Sequence, residues 1–303
     1  MSKRRADDDS DIDVSSTEES DAEISSHDGT SSEGGVAEGE EINVDFDYFD
    51  LNPAVDFHAT KTFLRQLFGG DAFQFDVSGL ADLILAENAV GTTIKTEGPE
   101  GDPFALLTVL DASAHRGRPC VKAVLDYLVE KTKPSPEFNM ILSKLFGLRN
   151  STKDPSKQLR VGLIISERMI NMPVEVVPPM YKMFVSELAA DTNEKPFDYF
   201  LVVSKIYRMV AAETGTDSAP LQKRAKSKPE PGADLDYFHY EDMVLEANSR
   251  YHFHYEFTRK LQDSDSRGVF TEYGIEPLLK LILLDKKGLE KSVPEMEEKF
   301  PPF

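Results

Sequence analysis

The chain carries one cysteine, no tryptophan and, from Asp7 to Asp50, not a single lysine or arginine. Each absence narrows what 303 residues can be. A lone Cys120 cannot close an internal disulfide, so a stapled secreted scaffold is excluded and a reducing compartment is expected. No apolar run approaches the ~20 residues that a membrane span requires. The opening MSKRRADDD has no apolar stretch behind its basic residues, which speaks against a secretory signal. Nucleotide and hydrolase signatures are missing too: no GxGxxG after a strand, no GxxxxGK[ST], no HExxH and no GxSxG.

What is present is an acid excess concentrated at one end. The formal net charge is −20, yet residues 1–50 hold 17 acidic against 3 basic side chains. That leaves 37 against 31, a net of −6, for the other 253 residues. Ser, Gly, Asp and Glu dominate 1–42, too little apolar surface to offset the entropy of ordering, so this stretch reads as a disordered acidic tail. Residues 43–303 then read as a single α/β domain, with a charged stretch at 213–234 taken as a mobile basic insertion. An acidic tail on a mildly acidic body repels nucleic acid and suits basic protein partners.

Periodicity supplies the elements. Val44, Phe46 and Tyr48 alternate with acids as a first strand would. Asp56 is placed to cap a helix running to Phe68, stopped by Gly69-Gly70, and a shorter helix runs from Val77 to about Glu87. Residues 90–97 and 103–111 read as strands around the turn Gly98-Pro99-Glu100-Gly101. Helices are expected from Pro119 and from Ser135-Pro136, the latter ending at Gly147. The run 160–166 is nearly continuously apolar, as in a strand in mid-sheet, followed by a helix opened by Pro178-Pro179 and a buried strand at 198–207. Residues 237–245 and 250–257 read as a hairpin turning near Asn248, and 275–290 fits strand or helix. The sum is mixed α/β with one central sheet flanked by helices.

Several constellations invite chemistry, each beside a plainer structural reading. Asp7, Asp9 and Asp11 have calcium-loop spacing, but Ile12 stands where that loop needs glycine. His252, His254 and Glu256 share one strand face, with His239 on the neighbouring strand as a fourth ligand candidate; a solvent-facing polar strand face is the plainer and favoured reading. Cys120 opens a helix beside Arg116 and Arg118, with His115 near in sequence; packing of a small apolar side chain is the alternative. In the tail, Ser10, Ser15, Ser16, Ser20 and Ser25 each precede an acid by three residues, the spacing of acid-directed phosphorylation, which would add about −1.5 to −2 charges apiece. Lys223, Arg224, Lys226 and Lys228 form a compact basic cluster suited to an importin groove. Met169, Ile170, Met172, Val174, Val176 and Val177 make an apolar, methionine-bearing stretch that is either a partner-docking element or core.

The segments VDFDYFDLNP (44–53), FHATKTFLRQLF (57–68), GLIISERMINMPVEVVPPMYKMF (162–184), YFLVVSKIY (199–207) and YFHYEDMVLEANSRYHFHYEFT (237–258) resemble the BCCIP family, and the likeness runs from about Val44 to Leu289. The resemblance implies a nuclear protein without catalytic activity or cofactor, shuttling to the cytoplasm. It implies a chaperone and transport adaptor that binds and protects a basic large-subunit ribosomal protein. A link to export of a phosphatidylinositol-phosphate kinase is also implied, and nothing in the resemblance calls for direct nucleic-acid or membrane binding. A nuclear scaffold in cell-cycle complexes remains the alternative, as does an acyltransferase with a degenerate cofactor loop. The family body resembles the GNAT acyltransferase fold, whose active members carry a Gly-rich pyrophosphate loop after the fourth strand. Here the matching stretch, Ser166 to Val177, has no glycine, and Pro173 removes a donor.

Overall fold

The computed structural model describes residues 45–87, 89–147, 159–190, 195–209, 235–258 and 275–301. In chain order they form β1 (Asp47–Asp50), α1 (Phe57–Phe68), α2 (Val77–Ala86), β2 (Gly91–Lys95), β3 (Ala105–Asp111), α3 (Pro119–Lys131) and α4 (Pro136–Leu145). The second half contributes β4 (Val161–Arg168), α5 (Val177–Ala190), β5 (Tyr199–Met209), β6 (Leu235–Tyr237), α6 (Asp242–Ala247), β7 (Tyr251–Tyr255), β8 (Ile275–Asp285) and α7 (Lys286–Lys299). The strands build one mixed sheet in the order β1-β2-β3-β4-β5-β8-β7, with β6 paired to β5. Only β4 and β5 run parallel; the other pairs are antiparallel.

Side chains alternate across a strand, so the apolar run of β4 serves two cores at once. Val161, Leu163 and Ile165 pack with Phe63, Leu67, Val124 and Leu142 of α1, α3 and α4 on one face. Ile164 and its neighbours Leu107 and Val202 pack with Met180 and Phe184 of α5, Leu245 of α6 and Leu289 of α7 on the other. Helices on both faces explain why β3, β4, β5 and β8 read as apolar runs rather than alternating ones.

Two local expectations are corrected and a third is resolved. The hairpin over 237–245 and 250–257 does not form: 235–237 pairs with β5, 242–247 is helical, and β7 pairs with β8. Residues 275–290 are strand and then helix, switching at Asp285, whose carboxylate accepts the Gly288 N–H at 2.8 Å and caps α7. Asp56 stands at the N-terminus of α1 but its side chain does not cap it. That carboxylate is taken instead by Lys95 and the Asn52 N–H.

Candidate functional site

Parallel pairing of β4 with β5 lasts only from Val161↔Tyr199 to Ile164↔Val202. Past that point β4 follows β3 to Arg168, and β5 follows β8 to Met209, so the sheet opens. The edge that β4 leaves on β5 is taken by β6, and the Phe238 N–H then donates to the Lys205 carbonyl at 3.1 Å. The following turn and the start of α6 reach into the opening.

Charged side chains fill it. Glu167 lies 2.7 Å from Lys205 Nζ through one oxygen and 3.1 Å from His239 Nε2 through the other. Arg168 meets Glu241 at 3.0 Å, and Asp242 and Ser204 are buried beside them. Burial pushes Glu167 up to about 7 against the pull of Lys205 and Arg168. Asp242 is pushed up to about 8, first by burial and then by the adjacent Glu241. His239 is held well below the usual imidazole range, by burial first and then by Lys205 and Arg168. Sequence reasoning missed this cluster. Its trace was there, in Glu167-Arg168 ending one apolar run and Lys205 interrupting another.

At the outer lip of the opening the chain exposes apolar surface. Met169 and Ile170 directly follow Arg168, with Ile170 73 % exposed, and Tyr240, just before Glu241, is also exposed. The Met169 N–H donates to the Phe104 carbonyl at 2.9 Å, which sets this pair against the β2–β3 turn. That turn exposes Glu97, Glu100 and Asp102, and Asp47, paired with Lys95, adds a further acid at the same end of the sheet. Two exposed apolar side chains at the same end of the sheet as these exposed carboxylates are suited to a basic surface with an apolar centre.

The six-residue docking candidate is divided by the fold. Met169 and Ile170 face outward, and Val174 is half-buried. Met172, Val176 and Val177 belong to the core beneath α5, because the short turn at 174–176 folds back and Tyr48 OH donates to the Val176 carbonyl at 3.2 Å. Those three are therefore unavailable to a partner.

Other candidates separate as well. His252 and His254 sit on the exposed face of β7, but His239 lies in the turn before α6, buried against Glu167, not on a strand beside them. Among the described residues no group of three or more His, Cys, Asp or Glu is placed to hold a metal ion. Cys120 is buried in the core, and His115 turns to Glu87 at 3.5 Å. Ser10, Ser15, Ser16, Ser20, Ser25, the Asp7-Asp9-Asp11 spacing and Lys223, Arg224, Lys226 and Lys228 lie outside the described residues. No helix among the described residues is long and apolar enough to cross a membrane.

A cavity of about 530 Å³ occupies the other end of β4, over Val109 and Phe200 and between Leu188 of α5 and Leu289 of α7. Its mouth carries Arg160, whose guanidinium lies 4.1 Å over the Phe197 ring with Nε 2.6 Å from Asp111.

With this geometry in hand, comparison with known proteins is informative. A family model described as BCCIP matches residues 41–245. Protein BCP1 of Debaryomyces hansenii is 58% identical over 275 residues, covering 88% of this chain and 89% of that protein. Protein BCP1 of Yarrowia lipolytica is 44% identical, covering 86% and 83%. The crystal structure of BCP1 from Saccharomyces cerevisiae aligns at a TM-score of 0.58 and 32% identity, over 86% of this chain and 91% of that one.

Proposed function

Because the chain belongs to the BCCIP family, we propose that it is a non-catalytic nuclear chaperone and transport adaptor for a basic large-subunit ribosomal protein, supporting ribosome biogenesis. The observation that carries this reading is the exposed Met169–Ile170 pair beside the acids of the β2–β3 turn. Such a surface docks a folded basic client, and the acidic tail 1–42 screens the client's remaining charge in a salt-sensitive way. Import through Lys223, Arg224, Lys226 and Lys228, shuttling to the cytoplasm, and carriage of a phosphatidylinositol-phosphate kinase belong to the same proposal.

The absence of catalysis is proposed on the segment after β4. In the GNAT-like reading of this sheet, that is where an acyl-CoA pyrophosphate would need free backbone N–H groups. Here Met169 N–H is spent on Phe104 and Met172 N–H on the Met169 carbonyl at 3.0 Å. The segment has no glycine to bring backbone closer. These features support a fold kept without the chemistry.

The test is affinity capture from nuclear extract at moderate salt, read by mass spectrometry. The baits are the full chain, residues 43–303, and Met169→Ser/Ile170→Ser. The expected outcome is stoichiometric enrichment of one large-subunit ribosomal protein by the first two, more tightly by the full chain, and its loss with the double variant. A broad mix of basic proteins, captured only when the tail is present, rejects the proposal in favour of a generic scaffold. Stabilisation of the full chain by acetyl-CoA in a thermal-shift assay would point to the enzyme alternative instead.

A further inference from the structure

The charges buried between β4 and β5 do not balance when all are ionised. Glu167, Glu241 and Asp242 face Arg168 and Lys205, while His239, desolvated, stays neutral. That count leaves one negative charge in excess. The cluster is also poorly bonded. Among the described residues six buried side-chain polar atoms lack a hydrogen-bond partner, and five are here: both Glu167 carboxylate oxygens, Arg168 Nε, Tyr181 OH and Ser204 Oγ. The two Glu167 oxygens lie 2.7 Å from Lys205 Nζ and 3.1 Å from Nε2 of the neutral His239 ring. An under-bonded buried cluster stores little energy against opening.

We propose that the segment His239–Asp242 is a proton-dependent latch, closing the gap between β4 and β5 while its buried charges balance and lifting out when the cluster carries the excess negative charge. The segment follows the three-residue strand β6 and leads into the six-residue helix α6. Among the described residues its one ion pair to β4 is Arg168–Glu241, beside which the neutral His239 ring approaches Glu167 at 3.1 Å.

Asp242 and the adjacent Glu241 are both raised by burial, Asp242 to about 8, so this pair of carboxyls holds the balancing proton while His239 is lowered. Asp242 faces Glu167 and Arg168 of β4, Ser204 of β5, Tyr181 of α5 and Glu241 of its own helix. Lys280 of β8 is directed elsewhere, to Tyr237 OH at 2.8 Å and to Glu246. From α7, Lys291 and Glu295 reach Asn248 at the far end of α6. Tyr240, exposed within the segment, moves with it and so changes the apolar surface at the lip of the gap. The latch does not depend on the identity of any client, and it stands or falls separately from the chaperone reading.

Hydrogen exchange of the full chain tests it, at about pH 7.5 and about pH 9.5 with rates corrected for intrinsic chemistry. Peptides spanning 235–247 are expected to lose about tenfold or more of their protection at the higher pH, while β3 and β8 keep theirs. Asp242→Asn, neutral at both values, is expected to stay protected at both. Equal protection of 235–247 in the unaltered chain at the two values overturns the latch, as does the same loss in Asp242→Asn. Should that variant fail to fold, Tyr240→Trp supplies the sole tryptophan of the chain as a reporter. A fluorescence transition centred near 8 supports the latch, and a flat profile refutes it.

Discussion

Lys95 Nζ and Asp56 Oδ1 meet at 2.7 Å with neither side chain in contact with solvent. Lys95 also donates to the Pro99 carbonyl at 2.7 Å, so one ammonium ties the start of α1 to the β2–β3 turn. Lys95→Met keeps the length of the side chain but strands the Asp56 carboxylate in the interior. The expected cost is about 3–5 kcal/mol, the usual penalty for breaking a buried pair from one side. Urea unfolding near neutral pH measures it, and an unchanged midpoint would show that the pair contributes nothing.

Asp71 makes a second buried anchor. Its carboxylate accepts from Tyr127 OH at 2.9 Å and from the Thr258 N–H at 2.9 Å, with Lys131 Nζ 3.2 Å away. Tyr127→Phe removes one donor and leaves the ring contacts with Phe68 and Phe75 intact. A loss of about 1.5–3 kcal/mol is expected, because the acceptor is charged, with the low end favoured by the donors that remain. Equilibrium denaturation of the two chains side by side decides it.

Gly162 of β4 pairs with Asp111 of β3. A Cβ there would lie 2.6 Å from Val109 Cγ2 and 3.2 Å from Phe200 Cδ1. Gly162→Ala should therefore destabilise by about 1–3 kcal/mol through overpacking. Adding Val109→Ala removes the clashing methyl, so the double-mutant cycle should show favourable coupling. Strict additivity would mean that the strands shift apart instead.

The pH dependence of stability follows from the cluster between β4 and β5. Asp242 and Glu167 hold their protons more tightly when folded than unfolded, being raised to about 8 and about 7. Their contribution is fully present below the ordinary carboxylate range and is lost as pH rises through those values. His239 acts oppositely: lowered when folded, it costs stability as pH falls below the ordinary imidazole range. Asp242→Asn is expected to flatten the decline between about pH 5.5 and about pH 8.5 in a series of urea midpoints at constant ionic strength. A slope equal to that of the unaltered chain would assign the decline to other groups.

Much of the architecture was legible because short-range rules were decisive. The run RVGLIIS has no polar side to turn outward, so it had to lie in mid-sheet, and it does, between β3 and β5. Pro119 and Pro136 opened helices where expected, and Gly69, at a φ of 53°, ended α1. Residues 237–245 were misread because tyrosine and histidine alternate there as in a strand. The helix at 242–247 starts where Glu241 meets Arg168 of β4, 73 residues away in sequence. Of the docking stretch, only Met169 and Ile170 were left outside, a division that the apolar pattern alone does not reveal.

The sequence by itself determined the mixed α/β class, the acidic imbalance, the lack of nucleotide motifs and the kinship of the chain. These rest on composition, periodicity and long idiosyncratic segments, none of which needs distances. Only the tertiary structure decided that β4 and β5 part after four paired positions, and that Glu167, Arg168, His239, Glu241 and Asp242 are sealed together in the gap with the partly exposed Lys205 at its edge. Charge in a sequence says nothing of its surroundings. The cost of an ion depends on whether water or protein surrounds it, and burial is a property of the whole packed chain.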